Sequence, residues 1–201
     1  MGKIIAGQFG TKKQVIAEKA AILFIEKGFS ATSMRDLAES IGIEASSLYN
    51  HITGKSEILQ EICMKVANLF IANLKTVESE ELPVLQKVEK IIRFHIRMML
   101  DEYEIVHISE HEWKHLSEPY LSDFKNQRRN YRNGVSHIIQ TGIDSHEIKA
   151  VDPYVTVLII LSAIAGIEVW HRSGKGIETA KLEENVVSIL IEGIKQRPQD
   201  L

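Results

Sequence analysis

The sequence predicts an all-α protein, and three observations support that fold class. Apolar residues recur three and four positions apart through most of the 201 residues, which is the period of a helix with one buried face. No segment shows the convincing alternation of a half-buried strand. Glycine and proline fall between the periodic segments, where helices begin and end. We therefore expect about nine helices.

The first three helices are short and have clear start and stop signals. The first is expected to end at Gly28. The second begins at Ser33, whose side chain can cap it, and Asp36 places an acid in its first turn. Gly42 then follows the last apolar residue of the second helix, where a left-handed residue is favoured. The third helix is expected to begin near Ala45.

The outward face of the third helix is polar and carries no formal charge. Leu48 and Ile52 are expected to point inward. Such a face suits hydrogen bonds to base edges and phosphates, whereas a helix built for solvation more often shows lysine and glutamate. A helix-turn-helix can also be a plain packing unit, and the pattern on its own leaves both alternatives open. The outward side chains are Ser46, Ser47, Tyr49, Asn50 and His51.

Six further helices are predicted from the remaining apolar periods. A long one begins at Lys55, directly after Gly54. The segment 154–170 is apolar on all sides, so one side can meet its own core and the other a partner. It is short for a membrane span, and we predict no membrane contact. A flexible turn is expected over residues 173–176. The other helices are expected over 84–103, 105–116, 120–141 and 178–195.

Composition limits the class of protein. The chain is 44% hydrophobic and 25% charged, which is ordinary for a globular protein with a sizeable core. The net charge is −3, and residues 1–60 hold only seven basic against six acidic residues, so any DNA-binding surface must be a local patch. The single cysteine, Cys63, excludes a disulfide framework within the chain and fits a cytoplasmic setting.

A spaced pattern of residues runs through the first third of the chain: Gly28, Phe29, Thr32, Ser33, Arg35, Asp36, Leu37, Ala38, Gly42, Ile43, Ser47, Leu48, Tyr49, His51, Ile52, Lys55 and Leu59. This pattern resembles the signature of the TetR family of transcriptional repressors. The likeness covers about residues 11–69. Two departures within it are minor: Ile52 stands where phenylalanine is commonest, and Thr53 and Gly54 lie where the family varies.

The resemblance implies a domain organisation and a set of DNA contacts. Residues 1–54 would form the helix-turn-helix DNA-binding domain, and residues 55–201 a larger helical body for effector binding and dimerisation. Tyr49 and Lys55 would contact phosphates, Lys55 at a helix start where amide dipoles add to its charge. Packing stays open as an alternative for Tyr49 and His51. The other expected contacts are Lys12, Lys13, Thr32, Ser33, Ser46, Ser47, Asn50 and His51, although solvation alone would also explain Lys12 and Lys13.

The resemblance also implies a homodimer on a palindromic operator. One such unit makes few DNA contacts, and two-fold dimers bind two half-sites. In the family the last two large helices form the dimer interface, here 153–171 and 178–195. A single buried core helix in a monomer is the alternative for the apolar segment. A small effector that favours the DNA-incompetent state would make the protein a ligand-responsive repressor.

A second, looser pattern lies in the middle segment, residues 94–171 and just beyond: Phe94, His95, Arg97, Glu110, Lys114, Leu116, Arg128, Tyr131, Gly142, Asp152, Trp170, His171 and Gly174. This pattern resembles the subgroup of TetR-like regulators that sense acyl-CoA thioesters. Such an effector needs an apolar tunnel and cations for its phosphates. A solvated basic face and an ordinary core stay open as alternatives for the same residues. The candidate ligand-binding residues are Phe94, Met98, His107, His111, Arg128, Arg129, Arg132 and Trp170.

Two other functional classes stay open. His107 and His111 are four residues apart and can bind a transition metal from one helix face, which would make the protein a metal-responsive regulator. A DNA-binding protein without a small-molecule effector is the second alternative. The sequence has no nucleophile elbow, Walker loop or dinucleotide glycine motif, so we predict neither enzymatic activity nor a cofactor.

Overall fold

Helices make up nearly all of the secondary structure. The structure is a computed structural model and describes residues 12–173 and 178–197. In this part of the chain, β pairing is limited to one isolated bridge between Ile148 and Lys195, and the all-α prediction is confirmed. The α-helices are α1 (Lys12–Lys27), α2 (Met34–Ile41), α3 (Ala45–Tyr49), α4 (Lys55–Ser79), α5 (Val84–Asp101), α6 (Tyr103–His111), α7 (Tyr120–Asp144), α8 (Pro153–Ala165), α9 (Ile167–Ser173) and α10 (Thr179–Ile194), with a 3-10 helix at Trp113–His115.

The apolar segment predicted as one helix is divided in two. Asp152 caps the start of α8 by accepting a 2.8 Å hydrogen bond from the Val155 backbone N–H, and Pro153 occupies the first turn. Gly166 caps the end of α8, and α9 begins at the next residue. This division explains why the described residues contain one α-helix more than expected. Of the turn expected over 173–176, all but Ser173 lies outside the described residues.

The chain forms two compact units, each built from two stretches of sequence. The first unit combines the chain up to Asn68 with Tyr103–Asn126. The second unit combines Leu69–Glu102 with the chain from Gln127 onward. The predicted boundary between residues 54 and 55 separates a DNA-binding domain from an effector-binding and dimerisation domain. A division by compactness does not test those roles, so the boundary stays a prediction.

The first unit is built on α1, α2, α3 and α6. Two glycines set its turns: Gly28 has a φ of 84° after α1, and Gly42 has a φ of 77° after α2. Both angles lie in the left-handed region that favours glycine. α6 packs against α1, so a segment far along the sequence belongs to the same core as the helix-turn-helix. The fully buried side chains of the first unit include Ile16, Phe24, Leu37, Leu48 and Ile108.

The second unit is organised around α5, which packs against α8, α9 and α10. Arg93 of α5 donates hydrogen bonds to three carboxylates: Glu89 at 2.8 Å, Glu183 at 3.1 Å and Glu184 at 2.6 Å. The Glu184 and Glu89 carboxylates raise the pKa of the guanidinium above its usual value. Since Glu183 and Glu184 belong to α10, Arg93 fixes α10 against α5. The apolar core around α5 includes Val88, Ile92, Ile96, Val157, Ile160 and Ile164.

Within the second unit, α4 and α7 approach each other closely. A Cβ atom added at Gly134 would lie 2.6 Å from Leu74 Cδ2, so the two helices meet where α7 has no side chain. One turn earlier on both helices, the rings of Phe70 and Tyr131 are 5.7 Å apart between centroids. These contacts show that α7 runs alongside α4 in the same direction.

Candidate nucleic-acid interface

The start of α2 is fixed by a reciprocal cap. The Asp36 backbone N–H donates to Ser33 Oγ at 3.1 Å, and the Ser33 N–H donates to Asp36 Oδ2 at 2.8 Å. Lys27 Nζ donates to the other carboxylate oxygen of Asp36 at 2.7 Å. Lys27 and then Ser33 hold the pKa of Asp36 well below its usual range. Ser33 thus serves the helix start, and its expected phosphate contact stays a prediction.

The turn between α2 and α3 sets the direction of α3. With Gly42 in the left-handed region, the Ile43 N–H donates to the Ala38 carbonyl at 3.0 Å and closes the end of α2. Leu48 is fully buried and Ile52 is 2% exposed, as the sequence predicts. Burial of these two side chains leaves the opposite face of α3 on the surface.

Four of the five outward side chains expected to contact DNA at α3 and just after it are exposed. Ser46, Ser47 and Asn50 are exposed, and His51 is half-buried. Tyr49 is 55% exposed, which is unusual for a large aromatic side chain and argues against a packing role. The arrangement offers hydroxyl groups on α3, and an amide and an imidazole on Asn50 and His51, the two residues that follow it.

Lys55 contacts backbone carbonyls of its own unit, whereas a phosphate contact was predicted for it. Its ammonium donates to the carbonyls of Phe29 at 2.8 Å, Ser30 at 2.9 Å and Thr32 at 2.8 Å. It also lies 4.8 Å from the Phe29 ring centroid. An ammonium has three N–H donors, and here all three are used. The structure therefore shows Lys55 as the residue that fixes the loop before α2 to the start of α4, and its phosphate contact stays an untested prediction.

Two more of the predicted DNA-contacting residues have partners within the first unit. Thr32 is 2% exposed, and its hydroxyl donates to the Gly28 carbonyl at 2.8 Å. Lys13 Nζ lies 2.9 Å from Glu57 and 3.1 Å from Glu61, both on α4. Lys12 is exposed at the start of α1. Among these three residues, Lys12 best fits a contact with flanking phosphates.

Glu57 holds the segment before α4 in place. The Thr53 backbone N–H donates to its carboxylate at 2.7 Å and the Thr53 hydroxyl at 2.8 Å. These bonds, with the ion pair to Lys13, lower the pKa of Glu57 to about 2, and the backbone bond has the largest effect. Glu57 of α4 thereby links α1, through Lys13, to the segment after α3, through Thr53.

One contact in the first unit had no signal in the sequence. The His115 ring lies 5.2 Å from the Phe29 ring between centroids, and Phe29 is the same ring that Lys55 covers. Phe24 meets Phe29 edge-on at 5.1 Å. The loop before α2 is therefore supported from α1, from α4 and from the 3-10 helix that follows α6. Helical periodicity cannot reveal such a contact, because the partners are distant in sequence.

The candidate ligand-binding residues divide between the two units. His107 is half-buried and His111 exposed in the first unit, with ring centroids 4.3 Å apart. Met98 is buried on α5. The remaining candidates also belong to the second unit: Phe94, Arg128, Arg132 and Trp170 are half-buried there, and Arg129 is exposed.

Three residues that were not predicted to bind a ligand join Phe94 in the second unit. The Phe70 ring is 5.4 Å from Phe94, 4.4 Å from His95 and 5.7 Å from Tyr131 between centroids. His95 Nε2 and the Tyr131 hydroxyl are 2.7 Å apart. Burial lowers the pKa of His95 to about 3 and raises that of Tyr131, so both groups are neutral near pH 7. We call Phe70, Phe94, His95 and Tyr131 the ring cluster.

Two family models match the chain. The model described as "Bacterial regulatory proteins, tetR family" matches residues 16–62, which include α2, α3 and the start of α4. The model described as "Tetracyclin repressor-like, C-terminal domain" matches residues 81–194, more than half of the chain. Together they cover the helix-turn-helix and most of the described second unit.

Known proteins match over nearly the whole length. The transcriptional repressor KstR2 of Mycobacterium tuberculosis is 22% identical over 192 residues, covering 94% of this chain and 96% of that protein. The fatty acid metabolism regulator protein of Bacillus subtilis is 19% identical over 188 residues, covering 92% and 97%.

Solved structures share the fold. The structure of the ketosteroid transcriptional regulator KstR2 of Mycobacterium tuberculosis has a TM-score of 0.86 at 22% identity and covers 96% of this chain and 100% of that one. AibR, in complex with isovaleryl coenzyme A and operator DNA, has a TM-score of 0.79 at 21% identity and covers 90% and 98%. At these identities the likeness establishes the fold.

Replacing Lys55 with methionine should destabilise the protein. The substitution leaves three carbonyls without their charged donor, and we expect a loss of about 1–3 kcal/mol in the free energy of unfolding. Urea titration measures it, with Lys75→Met as the control at an exposed position of the same helix. If Lys55 contacted a phosphate, its replacement would also reduce the slope of log K against log salt concentration for DNA binding by about one. Unchanged stability with a reduced salt slope would contradict the positioning role.

Replacing Glu57 with glutamine should make the Tm of the protein less dependent on pH in the acidic range. The pKa of Glu57 is lower in the fold than its usual value of 4.5, so the carboxylate stabilises the fold above about pH 4.5. That contribution is lost as the pH falls towards 2. We expect the Tm of Glu57→Gln to fall less steeply than that of the unmodified protein across this range. Parallel Tm profiles in differential scanning calorimetry would show that the carboxylate has no such role.

Proposed function

Because the chain belongs to the TetR family of transcriptional regulators, we propose that it is a dimeric, ligand-responsive repressor of the cytoplasm that binds a palindromic operator. The observation that carries this proposal is the exposed, polar and uncharged face of α3, held in place by buried Leu48 and Ile52. A helix presented in this way suits entry into the major groove.

We assign base reading and phosphate contact to different parts of the first unit. Ser46, Ser47, Asn50 and His51 read base edges, because their donors and acceptors lie on the outward side of α3. Tyr49 and Lys12 contact phosphates. Lys13, Thr32 and Lys55 support this surface through their contacts within the unit, as the distances above indicate.

The weak charge of the first unit makes a second copy necessary. Only a few cations are available to phosphates, so one copy gains little from counterion release. Two copies on a palindrome double the contacts. The DNA-binding role therefore requires an interface elsewhere in the chain, and the exposed apolar residues of the second unit would supply it.

We propose that α8, α9 and α10 form the homodimer interface, within residues 153–171 and 178–195. Five of the nine exposed large apolar side chains among the described residues lie on α8 and α9, and Ile189 adds one from α10. An apolar surface of this kind marks an interaction site. The five are Tyr154, Val155, Leu158, Ile159 and Val169.

The same stretch has the length and apolarity of a membrane span. Pro153–Trp170 is apolar enough to cross a bilayer, and 28% of it is buried. We favour a protein partner because Val157, Ile160 and Ile164 pack into the core of the second unit. A spanning helix would also run through Gly166, where α8 ends in this structure.

We further propose that the effector is an acyl-CoA thioester bound in the second unit. The aromatic side chains of the ring cluster and Trp170, which are buried or half-buried, offer an apolar environment for an acyl chain. Arg128 and Arg132 on α7 offer cations for the phosphates. AibR, which shares the fold, is described in complex with isovaleryl coenzyme A and operator DNA, which supports this effector class.

A metal-responsive regulator is the second candidate. The 4.3 Å separation of the His107 and His111 rings suits two ligands on one helix face. A thermal-shift assay separates the candidates: acyl-CoA alone raises Tm in the first, and nickel or zinc alone raises it in the second. A response to neither leaves a DNA-binding protein without effector.

Replacing Tyr49 with alanine should weaken operator binding by about 10-fold or more without changing Tm, because the side chain is exposed and makes a phosphate contact. Fluorescence anisotropy on an operator selected from random duplex DNA measures the affinity. Tyr49→Phe keeps the ring and removes the hydroxyl, so it should reproduce most of the loss. Equal affinity for all three proteins would rule out the contact.

Replacing Ile159 with lysine should convert the dimer to a monomer at micromolar concentration. Ile159 is 59% exposed, so the new charge is solvated in the monomer but desolvated in an interface. Sedimentation velocity measures the state, with Asn133→Lys as a control at an exposed position of α7. A dimer in both variants, or a monomer in the unmodified protein, would refute the proposed interface.

Acyl-CoA should release the protein from its operator. The effector binds the DNA-incompetent state better, so a titration in a gel-shift assay should dissociate the complex. A series of acyl chain lengths is compared with free CoA, which has the phosphates but no acyl group. Complexes that persist at every chain length would remove acyl-CoA from the proposal.

A further inference from the structure

The hydrogen bond between His95 and Tyr131 leaves one polar hydrogen unused. Burial lowers the pKa of His95 and raises that of Tyr131, so near pH 7 the imidazole has one N–H and the phenol one O–H. The bond between His95 Nε2 and the Tyr131 hydroxyl uses only one of these two hydrogens. Among the residues that the structure describes, neither side chain has a second hydrogen-bond partner. The other hydrogen can therefore be donated to a bound molecule.

The chemistry of the two groups places the unused hydrogen on Nδ1 of His95. An unprotonated imidazole nitrogen is a more basic acceptor than a phenol oxygen, and the phenol is a good donor, so Tyr131 donates to Nε2. That bond fixes the tautomer of the neutral ring, because only one of its two nitrogens carries a proton. The N–H then lies at Nδ1, for which none of the described residues supplies an acceptor. Since a desolvated donor without an acceptor is unfavourable, a ligand oxygen at this point would be bound favourably.

The imidazole is the accessible member of the pair. Tyr131 is only 6% exposed, whereas His95 is half-buried, so part of the His95 side chain can be reached by a small molecule. The same ring lies deep enough for burial to lower its pKa to about 3, so this accessible part borders an opening within the second unit rather than bulk solvent. Phe70, whose ring is 4.4 Å from that of His95 between centroids, and Phe94 are half-buried as well. The opening beside His95 therefore has apolar rings at its border and a neutral donor.

We propose that the Nδ1–H of His95 donates a hydrogen bond to the thioester carbonyl oxygen of the effector, with the start of the acyl chain beside Phe70 and Phe94. The inference rests on the proposed acyl-CoA effector and specifies how its thioester is recognised. The thioester carbonyl is the neutral acceptor that every acyl-CoA carries next to its apolar chain. A free fatty acid does not fit, because its carboxylate would be buried against a neutral pair that offers one hydrogen bond and no positive charge.

Three probes that lack the CoA nucleotide test the carbonyl contact. Decanoyl-N-acetylcysteamine has the thioester carbonyl, S-decyl-N-acetylcysteamine is the thioether without it, and decanoate is the free acid. Isothermal titration calorimetry on the whole chain compares their affinities. The unmodified protein should prefer the thioester over the thioether by roughly 3- to 10-fold, the value of one neutral hydrogen bond, and should bind decanoate more weakly than the thioester.

Replacing His95 with phenylalanine should abolish the preference for the thioester, because the aromatic ring stays and the donor is lost. Tyr131→Phe keeps the imidazole N–H but no longer fixes the tautomer, so it should reduce the preference without abolishing it. His137→Phe is the matched control at an exposed position of α7 and should keep the full preference. A full preference in His95→Phe, with its loss in Tyr131→Phe, would identify the tyrosine hydroxyl as the donor and overturn the proposal.

Nitrogen-15 NMR of the histidine rings tests the same donor in the unmodified protein, and it decides the matter if His95→Phe does not fold. The eight histidines are labelled, and the His95 signals are identified by their change in Tyr131→Phe. We expect a neutral ring near pH 7 with its proton on Nδ1, and a shift of the Nδ1 signal with the thioester but not with the thioether. A proton on Nε2, or equal shifts with both compounds, would contradict the assigned donor.

The outcomes separate this inference from the proposed function. No preference for the thioester in the unmodified protein, or no binding of either compound, would overturn the inference. An internal water at Nδ1 in place of a ligand would give one of these two results. A preference that His95→Phe removes supports the inference even if acyl-CoA fails to release DNA, and that failure would count against the role of acyl-CoA in DNA release alone.

Discussion

The Lys55 ammonium is the contact on which the candidate DNA-binding surface depends. Its three donors reach the carbonyls of Phe29, Ser30 and Thr32, and its charge lies over the Phe29 ring. The loop that these carbonyls belong to leads into α2, and the turn after α2 directs α3. Because α3 has only five residues, it cannot hold its own conformation and takes its orientation from this frame. In the first unit Lys55 therefore acts by holding this loop in place, and its charge is directed at the loop rather than at the surface.

Charge and apolar surface have complementary roles in this chain. Among the residues of the first unit that the structure describes, cations are too few to hold DNA by bulk electrostatics, and Lys13 and Lys27 are engaged by Glu57, Glu61 and Asp36. In the proposed repressor, affinity for DNA would then come from shape, hydrogen bonds and a second copy. In the proposed dimer, the exposed apolar residues of α8 and α9 would supply the surface for that copy, so the proposed DNA-binding role and the proposed interface depend on each other.

Local signals in the sequence predicted local structure well. The Ser33 and Asp36 cap, Gly42 in the left-handed region and the burial of Leu48 all follow from spacing of a few residues, and the structure confirms them. Contacts between distant parts of the chain were not predictable in this way. The motif position of Lys55 gave no sign of its carbonyl partners, and periodicity gave no sign that His115 packs against Phe29 or that His95 pairs with Tyr131. The end of α8 at Gly166 was not predicted either. A glycine within an apolar helical pattern can also lie inside a helix, so its presence does not show that the helix ends there.

Hydrogen–deuterium exchange, measured with and without a selected operator, tests most directly whether α3 is the DNA-reading element. If α3 reads DNA, operator DNA slows amide exchange over residues 45–55, which include α3 and the start of α4, and leaves the exposed middle of α7 unchanged. Protection confined to other helices, with exchange over residues 45–55 unaffected by operator, would contradict the account.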